Sequence, residues 1–572
     1  LGTSFEKFSF YNSFNLTGYG FDLFGSVSID EDMDLDGDGV LDTDYVNDTT
    51  GETDLVAFQD FLVNQYQGTF LSAEETFNDN NGLAIGDPQG WALAETNVGQ
   101  FSLYGQDQWK ATEDLTLTLG LRLDKPLYFD TEDKIQENIE RKIQDYQPDN
   151  VYVDPSTGED VLLDSTVLPD NGFLFSPRLG FNWDVEGDKT FQLRGGTGIF
   201  TGRFPFVWLG NQVQGVDFFF YQTVDQDFKW PQVWRSNIGV DYRLDNGVVL
   251  TGDFSYTKDL NAAHVQNWAL DNPSATLQGV DNRPIYQASD FSTNAFGGPT
   301  NAYVFTNSDN GRTINATLKA EKSFGNGLYA SLAYNYLDSK NVNSIDAEIT
   351  GDAFNANAIR GNSNDAVLSN SRYGDQHRVI AVASKKFEYG DGKFATTIST
   401  FAEWARGGRF NYTYAGDING DGSNFNDLIY IPTAGEVSQQ NFATPEQAAA
   451  FNQYIEQDDY LSENRGGYAE RYGALAPWRS RVDFRLLQDF NFDVKGKKNT
   501  IQFSVDVLNL GNFINSDWGL VEQPNSVQPV SVSVADGVPT YTFNEELTQT
   551  FGTDASLLNR WQAQLGLRYI FN

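Results

Sequence analysis

Cysteine is absent from the 572 residues and histidine occurs twice, as His264 and His377. Two histidines without a thiol to help them are too few for a typical zinc site. The missing cysteines permit an oxidising compartment without showing one. No nucleophile elbow and no His-bearing triad can be assembled, so no enzyme is expected. Basic residues are scarce as well. There are 38 Lys and Arg against 79 Asp and Glu, a formal net charge of −41. A phosphate backbone wants a basic face, so nucleic acid is excluded as a partner. No apolar run approaches the roughly 18 residues of a spanning helix, which excludes a helical membrane protein. A barrel stays open, because each spanning strand needs only about 9–11 residues and half of them can be polar. Leu1–Glu6 has neither a charged n-region nor an apolar h-region. The chain is therefore cytosolic, or its N-terminus lies further upstream. A barrel requires the second.

What is abundant is aromatic and Gly: 44 Phe, 27 Tyr, 11 Trp and 53 Gly. The last stretch sets the pattern. Trp561, Ala563, Leu565, Leu567, Tyr569 and Phe571 share one face at period two, and Gln562, Gln564, Gly566 and Arg568 share the other. In a soluble sandwich the apolar row would meet a core, and in a membrane barrel it would meet lipid. Recurrence decides. Phe101–Trp109 runs into Leu115, Leu117, Leu119, Leu121 and Leu123, which oppose Thr116, Thr118, Gly120, Arg122 and Asp124. Similar pairs turn at Val185–Lys189, Asp245–Gly247, Phe324–Gly327, Tyr389–Gly392 and Val494–Lys498. Each is strand, short Gly-bearing turn, strand. Trp109, close to its turn, suits a membrane interface.

Between the hairpins lie long segments, 25–99, 125–172, 261–310, 337–374, 411–478 and 513–558, with no Pro- or Ser-rich linker dividing domains. Short turns on one side and long loops on the other are the pattern of an outer-membrane barrel. The expected fold is all-β, a transmembrane antiparallel barrel, with some fifteen or sixteen strands countable here. Two of the long segments carry acidic clusters. Asp34, Asp36, Asp38, Val40 and Asp42 place carboxylates two residues apart around a Gly, with the Val40 carbonyl as a further oxygen. Asp417, Asn419, Asp421, Ser423 and Asp427 repeat the spacing. Calcium takes several oxygens from one tight loop, and these spacings supply them. The same residues also suit solvated, Asn/Gly-rich turns. Phe218, Phe219, Phe220 and Tyr221 form an aromatic run that fits either ligand contact or an interfacial girdle.

Several stretches resemble the TonB-dependent outer-membrane receptors. They are Tyr104–Trp109 with Leu115–Arg122, Ser176–Asn182 with Leu193–Phe200, then Pro477-Trp478, Arg481–Asp483, Asp506–Asn512 and Leu565–Phe571. Phe200–Arg203, Pro205, Trp208 and the 416–427 loop are most similar to the Oar-like (OmpA-related) branch of Bacteroidetes and myxobacteria. The resemblance spans essentially the whole chain. It implies a 22-stranded barrel with an N-terminal plug and a TonB-contacting segment, of which residues 1–572 would be the C-terminal part of the barrel. It implies partners too: the TonB complex, membrane lipid and lipopolysaccharide, with a surface lipoprotein or other protein partner as a further candidate. The expected function is energised uptake of a solute too large for porins, such as a peptide. Protein export or surface assembly on a transporter-like barrel is the alternative. Calcium would be structural, ordering the loops.

Overall fold

The computed structural model describes residues 1–12, 94–141, 150–214, 220–293, 300–345, 347 and 349–571. Its main strands are β1 (Gly2–Asn12), β2 (Ala94–Lys110), β3 (Leu115–Leu127), β4 (Leu174–Asp184), β5 (Phe191–Thr201), β6 (Gln232–Arg243) and β7 (Val249–Asp259). They continue as β8 (Arg312–Ser323), β9 (Leu328–Asn341), β10 (His377–Tyr389), β11 (Phe394–Ala405), β12 (Arg479–Val494), β13 (Lys497–Leu508) and β14 (Gln562–Phe571). Each pairs antiparallel with its neighbour in sequence along the path β1 to β14. Ser369–Asn370 adds to β9 off the path, making a sheet of 15 strands.

Alternation gives this sheet two unlike faces. On β14, Leu565 and Leu567 are 69% and 78% exposed, opposite Val505 and Phe503 of β13. The same row of exposed apolar side chains recurs at Leu119 and Leu121, at Phe175, Leu179 and Trp183, and at Trp234, Ile238 and Tyr242. In a soluble sandwich these rows would be buried against a second sheet. Here they remain outside, as lipid-facing rows do. The other face carries charge. Arg194 of β5 reaches Asp241 of β6 at 3.5 Å and Asp253 of β7 at 3.0 Å. Gly239 lies between them, where a Cβ would stand 1.9 Å from Arg194 Nη1, so only glycine lets the guanidinium cross.

The two ends of the sheet also differ. At one end the turns are short. Between β12 and β13 only Lys495 and Gly496 intervene, both left-handed (φ 53° and 79°), the conformation of a type I′ hairpin turn. At the other end, among the described residues, lie the long connections 128–173, 202–231, 260–311, 342–376, 406–478 and 509–561. These bounds depart from the sequence-based ones in two ways. The 202–231 connection was not expected as a long segment. β2 and β9 also run further, back to Ala94 and on to Asn341. Beyond the apolar band, residues such as Asp338, Ser339 and Lys340 are polar on both faces. The ladder continues there without the alternation that makes a strand legible.

Candidate functional site

The long connections fold into a cap with cores of its own. Phe410, Tyr412, Tyr414, Leu428 and Ile429 pack with Leu277 and Ile285, with Ala358, and with Val530 and Tyr541. That core joins the 260–311, 342–376, 406–478 and 509–561 connections. A second core brings Phe204, Trp208, Phe228 and Trp230 against Val265, Phe305 and Phe354. The helix Pro445–Gln457 shows why the sequence folds locally. Thr444 caps it by accepting from Gln447 N at 3.2 Å, Pro445 occupies the first turn, and Phe451, Tyr454 and Ile455 fall on the buried face. Asp458 then caps the next helix by accepting from Leu461 N at 2.7 Å. Its second oxygen accepts from Tyr412 Oη at 2.8 Å and Thr550 Oγ1 at 2.7 Å.

The 417–427 loop lies inside this cap. Asp417 accepts from the backbone N–H groups of Gly420 (2.6 Å), Asp421 (3.2 Å) and Gly422 (2.8 Å). Asn419 Oδ1 accepts from Asp421 N at 2.9 Å. Asp421 accepts from Ser423 N at 2.8 Å, Asn426 Nδ2 at 2.7 Å and Ser363 Oγ. Gly420 and Gly422 take φ of 80° and 93°, which turn the chain tightly enough for these side-chain oxygens to reach its backbone N–H groups. Asn419, Asp421, Ser423 and Asp427 are all buried. Asn426 Oδ1 is buried without a hydrogen-bond partner, although the same amide donates to Asp421. Burial pushes the Asp417 carboxyl up to about 6, with the Asp421 charge adding to it. Among the described residues no group of three or more His, Cys, Asp or Glu has a ready metal-holding arrangement.

Asp427 connects the loop to an ion-pair cluster that sequence reading missed. Arg283 is wholly buried and grips Asp281 with two bonds, Nε–Oδ1 at 3.0 Å and Nη2–Oδ2 at 2.9 Å. Its Nη1 reaches Asp427 Oδ1 at 2.9 Å, and Nη2 also donates to Leu428 O at 2.6 Å. The rings of Tyr414 and Tyr468 lie 5.3 Å from the guanidinium carbon. Burial raises the Asp427 carboxyl, Arg283 pulls it back, and Asp421 and Asp417 raise it further. Nothing local marked Arg283, which sits between Asn282 and Pro284 and meets Asp427 across 144 residues.

The remaining candidates are placed unevenly. Asp34, Asp36, Asp38, Val40 and Asp42, with Phe218 and Phe219, lie outside the described residues. Phe220 opens the strand Phe220–Val224. Tyr221 follows it into the cap, where its hydroxyl accepts from Ser165 N at 2.6 Å and donates to Leu163 O at 3.1 Å. His377 starts β10, with Nδ1 at 2.8 Å from Tyr334 Oη and its ring stacked on Trp478. His264 is different. It is buried in the cap with both ring nitrogens unpartnered, and burial pushes its imidazole down to about 4.

Residues 20–218 match a family model described as an outer membrane beta barrel domain. No curated protein matches the chain. Among solved structures, the chain is similar to the FrpB iron transporter from Neisseria meningitidis at 13% identity, over 73% of this chain and 42% of that one, with a TM-score of 0.35. It is similar to the ferric enterobactin receptor PfeA of Pseudomonas aeruginosa at 10% identity, over 73% and 40%, with a TM-score of 0.37. The outer membrane transporter YddB from Escherichia coli gives 10% identity over 83% and 55%, with a TM-score of 0.37. The chain thus spans about half the length of these proteins or less. With exposed apolar rows on an antiparallel sheet and the matched domain, the chain is an outer-membrane protein whose architecture is of the β-barrel type.

Proposed function

We propose that the chain is the barrel portion of a TonB-dependent transporter that takes up a solute too large for porins. The observation that carries this reading is the fused cap. Six long connections fold onto one another at one end of a sheet whose inner face is lined with ion pairs such as Arg194–Asp253. A cap with its own cores holds cavities in fixed shape, as capture of a solute requires. One of about 500 Å³ lies among Arg406, Phe410, Tyr460, Trp478 and Phe551. Short turns then face the periplasm and the cap faces outward. The exposed rows meet lipid, and the cap's rim meets lipopolysaccharide. Import requires a plug and a TonB-contacting segment in the complete protein. Uptake of fluorescent oligopeptides, compared between wild-type cells, cells lacking this protein and cells lacking TonB, tests the reading. Equal loss in both deletions is expected. Uptake that persists without TonB overturns import and leaves export or surface assembly with a protein partner.

The 417–427 loop, in this reading, takes one structural calcium ion. Asn419, Asp421, Ser423 and Asp427 offer buried oxygens on one short loop, and Asn426 Oδ1, buried without a partner, supports a further one. The same chemistry is proposed for Asp34, Asp36, Asp38, Val40 and Asp42. Calcium titration followed by protection of the cap from protease tests it. A cap equally resistant in calcium and in chelator would remove the ion from both loops.

A further inference from the structure

A cavity of about 400 Å³ opens between the end of β9, residues 358–369 and residues 468–471. Three cations border it: Lys340, Arg360 and Arg471. In a chain of net charge −41 that is already unusual, and all three lack an ion-pair partner among the described residues. Arg360 is exposed and stands over the Tyr468 ring at 4.5 Å. Arg471 is 2% exposed, held by Val342 O, Asn341 O and by Asn357 Oδ1 at 2.6 Å. All of those partners are neutral, and Arg471 Nε has none. Burial without a carboxylate lowers its guanidinium to about 10. A buried charge of this kind is costly until an opposite charge arrives.

The rest of the lining narrows the ligand. Ile359 and Leu428 are buried beside the cations, while Val367 and Leu368 are exposed, at 48% and 40%. Such a wall takes an aliphatic side chain. Asp365 and Glu470, both exposed, also line the cavity and have no cation partner among the described residues. Two carboxylates repel a multiply charged anion such as phosphate and tolerate a monoanion that carries an ammonium or amide further along. We infer that this cavity binds the C-terminal carboxylate of a short apolar peptide, held by Lys340, Arg360 and Arg471. The inference rests on the transporter reading and names the substrate class for it.

The test uses the complete protein purified from outer membranes. The probes are a pool of apolar tetrapeptides with free C-terminal carboxylates, the same pool amidated, and inorganic phosphate. Retained peptide is measured by mass spectrometry. The acid pool is retained, and the amidated pool falls by roughly tenfold or more, as for loss of a charge-assisted hydrogen bond. The double variant Lys340→Gln/Arg360→Gln loses the acid pool to the same degree, with protease resistance of the cap unchanged. Equal retention of both pools, no retention of either, wild-type retention by the double variant, or full displacement by equimolar phosphate each overturns the assignment. Because binding is read without transport, such a result leaves TonB-dependent uptake standing or falling on its own experiment.

Discussion

Replacing Arg283 with Met removes the only cation that touches both Asp281 and Asp427 among the described ion pairs. Both carboxylates are fully buried, so water cannot replace the guanidinium. Breaking a buried ionic group by deleting one partner costs about 3–5 kcal/mol. The two tyrosine contacts add about 0.5–2 kcal/mol of cation–π attraction to the loss. At about 1.4 kcal/mol per decade, opening of the cap should rise by roughly two and a half to five powers of ten. Native-state hydrogen exchange reads this directly at Tyr286 N, which donates to Asn419 O, and at Ile418 N, which donates to Asp427. The sheet amides of β12 and β13 serve as the control and should not change. Lowering the pH should reduce the penalty, because burial already raises the Asp427 carboxyl and protonation neutralises it once the guanidinium is gone. The triple variant Arg283→Met/Asp281→Asn/Asp427→Asn should recover a large part of the protection. A shift below about 1 kcal/mol in Arg283→Met, the size of an ordinary substitution, would refute the view that this cluster ties the connections together.

How much of this was legible depended on whether the signal was local. The row of β14 and the five leucines of β3 repeat every second residue, so their strands and faces could be read directly. Gly496 carries the φ > 0 chemistry of its turn in its own sequence. The cap could not be read in the same way. Tyr414–Ala415 pairs parallel with residues at Val530–Ser531, and Asn301–Phe305 pairs parallel with Phe220–Val224. Such partners stand about a hundred residues apart with no turn between them to announce the pairing. Arg283 reads as one arginine in a loop until the fold brings Asp427 to it. His264 and Arg471 looked unremarkable for the same reason: burial, not spacing, gives them their character. The 417–427 spacing was visible, but its burial and its unpartnered Asn426 oxygen came only from the fold.

Three further predictions concern the sheet and the ion loop. Leu567→Arg puts a charge on the exposed apolar row of β14 and should destabilise the folded sheet by about 2–4 kcal/mol if it lies near mid-membrane. Gln564→Arg, on the other face, should cost far less in the same urea unfolding in lipid vesicles. Gly496→Ala meets no atom within 4 Å, so its cost is purely that of φ 79°, about 1–2 kcal/mol in the same assay. Asp417 supplies the last. Its carboxyl is raised from 3.8 to about 6 by burial and by Asp421, with Asp427 and Arg283 next in the network. A group whose folded value is raised stabilises the fold below its unfolded value and loses that contribution as pH rises through the folded one. In chelator, protection of Gly420 and Gly422 amides, corrected for intrinsic exchange, should therefore fall between about pH 4 and pH 7, by at most about 3 kcal/mol. Calcium acts in the opposite direction, because it binds the ionised form: adding it above pH 6 should restore the protection and flatten the profile. Asp417→Asn should abolish both the slope and the calcium response, since an amide neither titrates nor supplies a charged ligand. A flat profile in chelator would show that Asp417 does not titrate in this range. A sloping profile that calcium leaves untouched would show that the dry carboxylates are satisfied by protons and not by an ion.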